Sequence, residues 1–362
     1  MNLPFKKHIN GIHPYEPGKP IEEVERELGL ARVIKLASNE NPLGSSKKAQ
    51  QAVRRAIDRM QLYPDGSCFY LKEKLAQSLG VTAEQLVIGN GSNEIIELLA
   101  RGFLSSGDHV VTSELSFLVY PLITKVCGSE LRMARMIDFR YSLPALLELI
   151  DEKTKLVFIA NPNNPTGTYV TQKEVDAFLK QVPPHTLVCF DEAYFDFVDA
   201  KDFPDILSVI KKGRENVMIL RTFSKSYGLA ALRIGYGIGT PGLIDYLNKV
   251  RQPFNVNQLA QVAATAALGD RTFLMKTKQT IIQGRTFLKK ALTQMGISGT
   301  PSQANFILMD VKKDANRVFQ DLLKKGIIVR SMAAYGLRTY LRVTIGTPVE
   351  NKMFIKALQE VL

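Results

Sequence analysis

Apolar residues recur at helical spacing over 47–60 and 69–79, and each stretch ends at a turn signal. A short apolar strand at 86–88 then enters a Gly-rich turn and a helix of about ten residues. From there the chain alternates. HVVTS, LRMARM, KLVFIA and the openings of TLVCFDEAY and NVMILRTFSK predict strands, and 116–127, 144–150, 171–180 and 204–212 predict helices between them. Strands this apolar, separated by helices, predict an α/β fold with a mostly parallel central sheet covered on both faces. Past about 270 the pattern changes: helices at 270–295 and 313–325 flank three strands, ANFILMD, GIIVR and TYLRVTIG. This predicts a smaller α+β domain. The expected organisation is an N-terminal arm with part of the small domain over 1–45, a large domain over 46–269 and a small domain over 270–362.

Composition narrows the function classes. With 362 residues, 45% of them apolar, the chain can bury a large core, and no stretch approaches eighteen consecutive apolar residues, so no membrane span is expected. The N-terminus lacks the apolar core of a secretory signal, which points to the cytoplasm. Cys68, Cys127 and Cys189 are too scattered for a disulfide framework, and His8, His13, His109 and His185 form no metal-ligand spacing. Lysine and arginine number 47 against 35 acids, a net +12, but they are spread over amphipathic segments. That distribution predicts attraction of anionic small molecules rather than nucleic acid.

Open α/β sheets bind ligands beyond the carboxyl ends of their strands. Ser92 and Asn93, Asn164, Asp191, and the group from Thr222 to Lys225 all fall at such ends. GNGSNE, at 89–94, has glycines before a helix, where backbone amides can approach an anion, yet it lacks the dinucleotide fingerprint. Alone, each residue reads as a turn or cap; four polar strand ends in succession predict a site.

Read together, GNGSNE, NPNNPTG (161–167), DEAY (191–194), TFSKSYG (222–228), Arg233 and LRVTIG (341–346) resemble, in order, the motifs of the fold-type I, aspartate-aminotransferase-like enzymes that use pyridoxal 5′-phosphate. The resemblance runs from ASNENP to LRVTIG, nearly the whole chain. It implies that Lys225 bonds covalently to the cofactor and then moves the proton, that Asp191 pairs with the pyridine nitrogen, and that Asn164 and Tyr194 hydrogen-bond the ring oxygen. Phe117 would stack on the ring, although ELSFLVY departs from the commoner form of that motif. Ser92, Asn93, Ser224 and Arg233 would hold the phosphate, joined by Tyr63 of LYPDG from a neighbouring subunit, which implies a homodimer with shared sites. Arg342 would grip the substrate carboxylate, assisted by Asn39.

Within that superfamily, YEPGKPIEEVERELG, ASNENPLG, RQPFNVNQLAQVAA and GIIVRSMAAYGLRTYLRVTIG resemble the histidinol-phosphate aminotransferases. This implies transfer of an amino group between L-histidinol phosphate and 2-oxoglutarate in histidine biosynthesis, with Tyr15 and Arg330 helping to hold the substrate phosphate and Arg342 serving phosphate or carboxylate in the two half-reactions. Aromatic-amino-acid aminotransferases are the nearest alternative, because a pocket that admits imidazole can admit phenyl. Threonine-phosphate decarboxylase and a non-catalytic cofactor-binding module are the others.

Overall fold

The computed structural model describes residues 6–12, 20–30 and 32–362. After a two-residue strand, β1 (Ile34–Lys35), seven strands build the main sheet: β2 (Leu86–Gly89), β3 (His109–Ser113), β4 (Glu130–Ala134), β5 (Thr154–Ala160), β6 (Leu187–Asp191), β7 (Val217–Thr222) and β8 (Gly235–Ile238). Their spatial order is β2-β8-β7-β6-β5-β3-β4. All neighbours run parallel except at β8, which is antiparallel to both β2 and β7.

The sequence pattern does not reveal β8, because GYGI is half glycine and strand signals are weak there. The structure shows why a side chain is excluded at Gly235: a Cβ would lie 2.5 Å from the Ser92 backbone nitrogen and 2.9 Å from the Arg221 carbonyl oxygen. This close approach seats the helix Ser92–Phe103 against the sheet.

The central strands are apolar on both faces, as a doubly covered sheet requires. Val157, Ile159, Val188 and Phe190 enter one core, while Leu156, Phe158, Leu187 and Cys189 enter the core on the opposite face. Helices Lys47–Ala56 and Gln258–Leu268 close the first face through Ala49, Ala260, Ala263 and Ala264, whose short side chains let the backbones approach.

The second lobe contains β9 (Ser298–Gly299), β10 (Phe306–Asp310), β11 (Ile327–Ile328), β12 (Arg330–Ser331) and β13 (Tyr340–Thr344). GIIVR, which the pattern reads as one strand, divides at Val329. β11 pairs parallel with β1, whereas β12 pairs antiparallel with β13 in the sheet β12-β13-β10-β9. The chain before the main sheet is thereby stitched to the lobe formed by its end. A third core fills this lobe and takes in Tyr194 and Phe197, which follow β6. The long helix Arg271–Gln294 is continuous, close to its expected span. Among the described residues no helix is long and apolar enough to cross a membrane, and no three metal-ligating side chains cluster.

The loop after β7 is pinned to the segment preceding Lys47. Gly228 has φ 68°, and a Cβ there would lie 2.0 Å from the Gly44 carbonyl oxygen. Neither backbone can yield cheaply, so Gly228→Ala is expected to lower unfolding stability by more than ~2 kcal/mol in a urea titration. An unchanged midpoint would show that the loop relaxes freely.

Candidate active site

The carboxyl ends of β5, β6 and β7 and the turn after β2 converge on a cavity of about 310 Å³. Of the residues expected to hold the cofactor, Ser92, Asn93, Phe117, Asn164, Asp191, Tyr194, Ser224, Lys225 and Arg233 line it. Of those expected to hold substrate, Asn39, Arg330 and Arg342 line it. Tyr63 does not: it is 82% exposed on the outside of this chain, stacked on Phe254 at 4.8 Å between ring centroids. Tyr15 lies outside the described residues.

Asp191 ends β6 and is buried. It accepts hydrogen bonds from the Tyr120 hydroxyl at 2.9 Å and the Ala193 amide at 3.2 Å. Burial pushes its carboxyl up to about 6, while those two hydrogen bonds and the Lys225 charge pull the other way. Lys225 is half-buried. Its Nζ donates to the Ser38 carbonyl at 3.1 Å and sits 5.8 Å from the centre of the Tyr194 ring. Burial, and next the Arg342 cation, bring its ammonium down to about 8. An amine and a carboxylate titrating this close to neutrality suit proton transfer.

The turn after β2 forms an anion cradle. Gly91 has φ 79°, and a Cβ there would fall 2.7 Å from an Arg233 guanidinium nitrogen, so only glycine lets the cation close over the start of helix Ser92–Phe103. Arg233 adopts φ 55°, unusual for a long side chain, and donates to the Ala230 carbonyl at 2.9 Å. The Ser224 hydroxyl lies 3.5 Å from the same guanidinium. The Ser224 amide is fixed by the Thr222 hydroxyl at 3.1 Å.

A second cationic region lines the same cavity. Arg330 on β12 stands directly opposite Arg342 on β13. Two guanidinium groups at opposed positions of one antiparallel ladder concentrate positive charge on this wall of the cavity. Arg342 is buried. It donates to Asn164 Oδ1 at 2.5 Å and to the Ala37 carbonyl at 2.8 Å, linking β13 to NPNNPTG and to the first lobe-spanning segment. Asn39, at φ 55°, donates to the Tyr194 hydroxyl at 2.9 Å and exchanges hydrogen bonds with Thr344. NPNNPTG is held by Asn163, which accepts from Ser116 at 3.1 Å and donates to Thr166 at 2.9 Å.

Tyr120 has no counterpart among the sequence expectations. It is fully buried, stacked on Phe158 at 4.7 Å and edge-on to Phe117 at 5.7 Å. Its place one helical turn after Phe117 was visible, but a tyrosine at such spacing is ordinarily core. Glu40, Met332 and Tyr335, which also line the cavity, are equally unmarked in the sequence.

These residues fit pyridoxal phosphate on structural grounds. The glycine cradle under Arg233 suits a phosphate, Phe117 offers an aromatic face, and Asp191 is a buried carboxylate with no cation in hydrogen-bond reach among the described residues. Lys225 is the amine beside them.

The model of the aminotransferase class I and II family matches residues 31–358. The chain is 51% identical to the histidinol-phosphate aminotransferase of Moorella thermoacetica, covering 99% of this chain and 92% of that protein. It is 47% identical to histidinol-phosphate aminotransferase 2 of Pseudomonas fluorescens, covering 98% and 96%. A crystal structure of histidinol-phosphate aminotransferase from Sinorhizobium meliloti in complex with pyridoxal 5′-phosphate superposes with a TM-score of 0.90 at 30% identity, covering 99% of this chain and 97% of that one.

Asp191 carries a stability consequence of defined sign. An acid whose folded pKa of about 6 exceeds its unfolded value of about 3.9 binds its proton more tightly in the fold. Keeping it ionised therefore costs the cofactor-free chain on the order of 3 kcal/mol above pH 6, a cost that fades as pH falls toward 4. Asp191→Asn should make the cofactor-free protein more stable than wild type near pH 8 and progressively less so toward pH 5, by chemical denaturation. A constant or reversed difference would contradict it.

Proposed function

Since the chain belongs to the aminotransferase class I and II family, we propose that it transfers the amino group between L-histidinol phosphate and 2-oxoglutarate, giving imidazole acetol phosphate and L-glutamate, in histidine biosynthesis. The observation that carries this reading is one cavity lined by two cationic groups, Arg233 with the Gly91 cradle and Arg330 opposite Arg342, and by Lys225. Two anion sites suit one phosphorylated cofactor and one phosphorylated or carboxylated substrate.

Pyridoxal phosphate, when bound, supplies an electron sink that makes the amine-bearing carbon of the donor acidic. The chain's residues do the rest. Lys225 Nζ, brought down to about 8, would take the proton from that carbon and deliver it to the aldehyde-derived carbon of the cofactor, the 1,3-shift that moves the amino group. Asp191, kept in place by Tyr120, holds a protonated ring nitrogen. Asn164 and Tyr194 meet the ring oxygen, Phe117 packs on the ring, and Ser92, Asn93, Ser224 and Arg233 receive the phosphate. Arg342 takes the carboxylate of 2-oxoglutarate or glutamate with Asn39 beside it, and Arg330 and Tyr15 take the phosphate of histidinol phosphate.

The same reading includes a homodimer that completes each site. Met60, Leu62, Tyr63, Phe69 and Tyr70 are exposed large side chains within one short stretch of chain, and Phe254 is exposed beside Tyr63. Exposed apolar groups in that density support an interface, with Tyr63 serving the phosphate of the partner's site.

kcat/KM for L-histidinol phosphate is expected to exceed that for L-phenylalanine by ~100-fold or more, about 2.7 kcal/mol of discrimination. Arg330→Gln should raise KM for histidinol phosphate at least ~10-fold while leaving phenylalanine nearly unaffected. A clear preference for phenylalanine in wild type would assign the chain to aromatic amino acids instead. Shared sites have their own test: Lys225→Ala and Tyr63→Phe proteins, dissociated and mixed, should regain activity as hybrids carrying one intact site. No recovery, with hybrids confirmed by mass, would place Tyr63 outside the site.

A further inference from the structure

One carboxylate in the cavity wall has no part in the chemistry above. Glu40 lines the cavity with Lys225, Arg330 and Arg342. Its Oε1 accepts from Lys35 Nζ at 2.9 Å, and Oε2 makes no hydrogen bond among the described residues. The Glu40 side chain is 44% exposed against 21% for Lys35, so the acid is the more open member of the pair. The wall's other acid, Asp191, is already committed to Tyr120 and the Ala193 amide. Every remaining charged group in the wall is a cation: Lys225, Arg233, Arg330 and Arg342.

Glu40 favours the charge on Lys225, and in a cavity that otherwise collects anions it also suits a ligand part that is a donor or a cation. Resting on the histidinol-phosphate reading, we propose that Glu40 selects donors whose ring carries an N–H, and so separates imidazole-bearing from phenyl-bearing substrates. A neutral imidazole offers one N–H, and below about pH 6.5 it offers two and a positive charge. A carboxylate accepting that N–H makes a charge-assisted hydrogen bond. The same carboxylate covered by phenyl loses water and receives nothing back, which is the asymmetry that lets a polar site reject an apolar analogue. The Lys35 pair does not stand in the way, because a half-exposed ion pair is weak and leaves the second oxygen open.

The competing explanation is that Glu40 merely ties its segment to Lys35. The test compares kcat/KM for L-histidinol phosphate and L-phenylalanine in the loaded wild type, Glu40→Met, Glu40→Gln and Lys35→Met. Glu40→Met should cut the preference about 10-fold to 100-fold, through loss on histidinol phosphate, with phenylalanine unchanged or improved. Lys35→Met should keep the preference within about 3-fold of wild type, because the acid survives. A loss in Lys35→Met equal to that in Glu40→Met would overturn the proposal in favour of a structural tie. Glu40→Gln, which keeps the shape and an acceptor, removes the charge: the wild-type preference should grow from pH 8 to pH 6, and the variant's should grow less. Equal slopes would also overturn it. In a Lys225→Ala background, which does not turn over, calorimetric titration with histidinol phosphate should show about 10-fold weaker binding when Glu40→Met is added. If wild type prefers phenylalanine, the donor assignment itself falls and this proposal with it; if wild type prefers histidinol phosphate and Glu40→Met still does equally, only the role of Glu40 falls.

Discussion

Asp191 occupies the last position of β6 with its carboxylate out of water, satisfied by one tyrosine hydroxyl and one backbone amide. An ionised carboxylate in such a place is unfavourable unless a cation arrives. The surrounding architecture is arranged around that condition. β6 lies at the centre of the seven-stranded sheet, flanked by β5 and β7 in parallel register, so its end cannot drift toward solvent. Tyr120 is locked by stacking on Phe158, which fixes the direction of its hydroxyl. The Arg221–Glu192 pair beside Asp191 is closed at 2.8 Å and capped by Phe195, so it contributes no free charge to the site. What remains is a carboxylate poised for a ring that brings its own proton.

The cations lining the same cavity add the opposite charge. Arg342 helps to depress Lys225, as burial does, and Arg342 itself stands opposite Arg330. Both arrangements concentrate positive charge in the cavity, which favours anionic ligands. The buried Asp191 carboxylate is the costly member of the site, and the cores on both faces of the sheet supply the stability that tolerates it.

Much of this was legible in the sequence because strand ends and their motifs are local. Asp191, Asn164, Ser224 and Lys225 follow apolar runs by fixed short distances, and a strand's period of two decides where its last residue falls. Residues whose roles depend on distant partners were not legible. Tyr120 reaches Asp191 across 71 positions, and its sequence neighbourhood reads as a plain core helix. β8 was hidden because close backbone packing at Gly235 replaces the side-chain pattern that usually marks a strand. GIIVR read as one strand because its apolar run is continuous, although β11 and β12 serve different sheets. Tyr63 illustrates the reverse case: the motif was plain, but a single chain leaves the residue on the outside.

The segment from Ala37 to Gly44 shows how these separate parts become one device. The Ala37 carbonyl accepts from Arg342, the Ser38 carbonyl from Lys225, and Asn39 holds both Tyr194 and Thr344. Asn41 donates to the Ser226 carbonyl and to Thr277 on the long helix, and Gly44 presses on Gly228. Five residues of the segment thus make seven contacts, some to the lysine loop after β7 and the others toward the second lobe. A displacement of β13 relative to β7 must break or carry these bonds, so the position of the carboxylate-binding arginine and the proton-moving lysine cannot vary independently. The coupling follows from the hydrogen-bond geometry of one short segment, and it explains why that segment is rich in polar residues while sitting between two apolar cores.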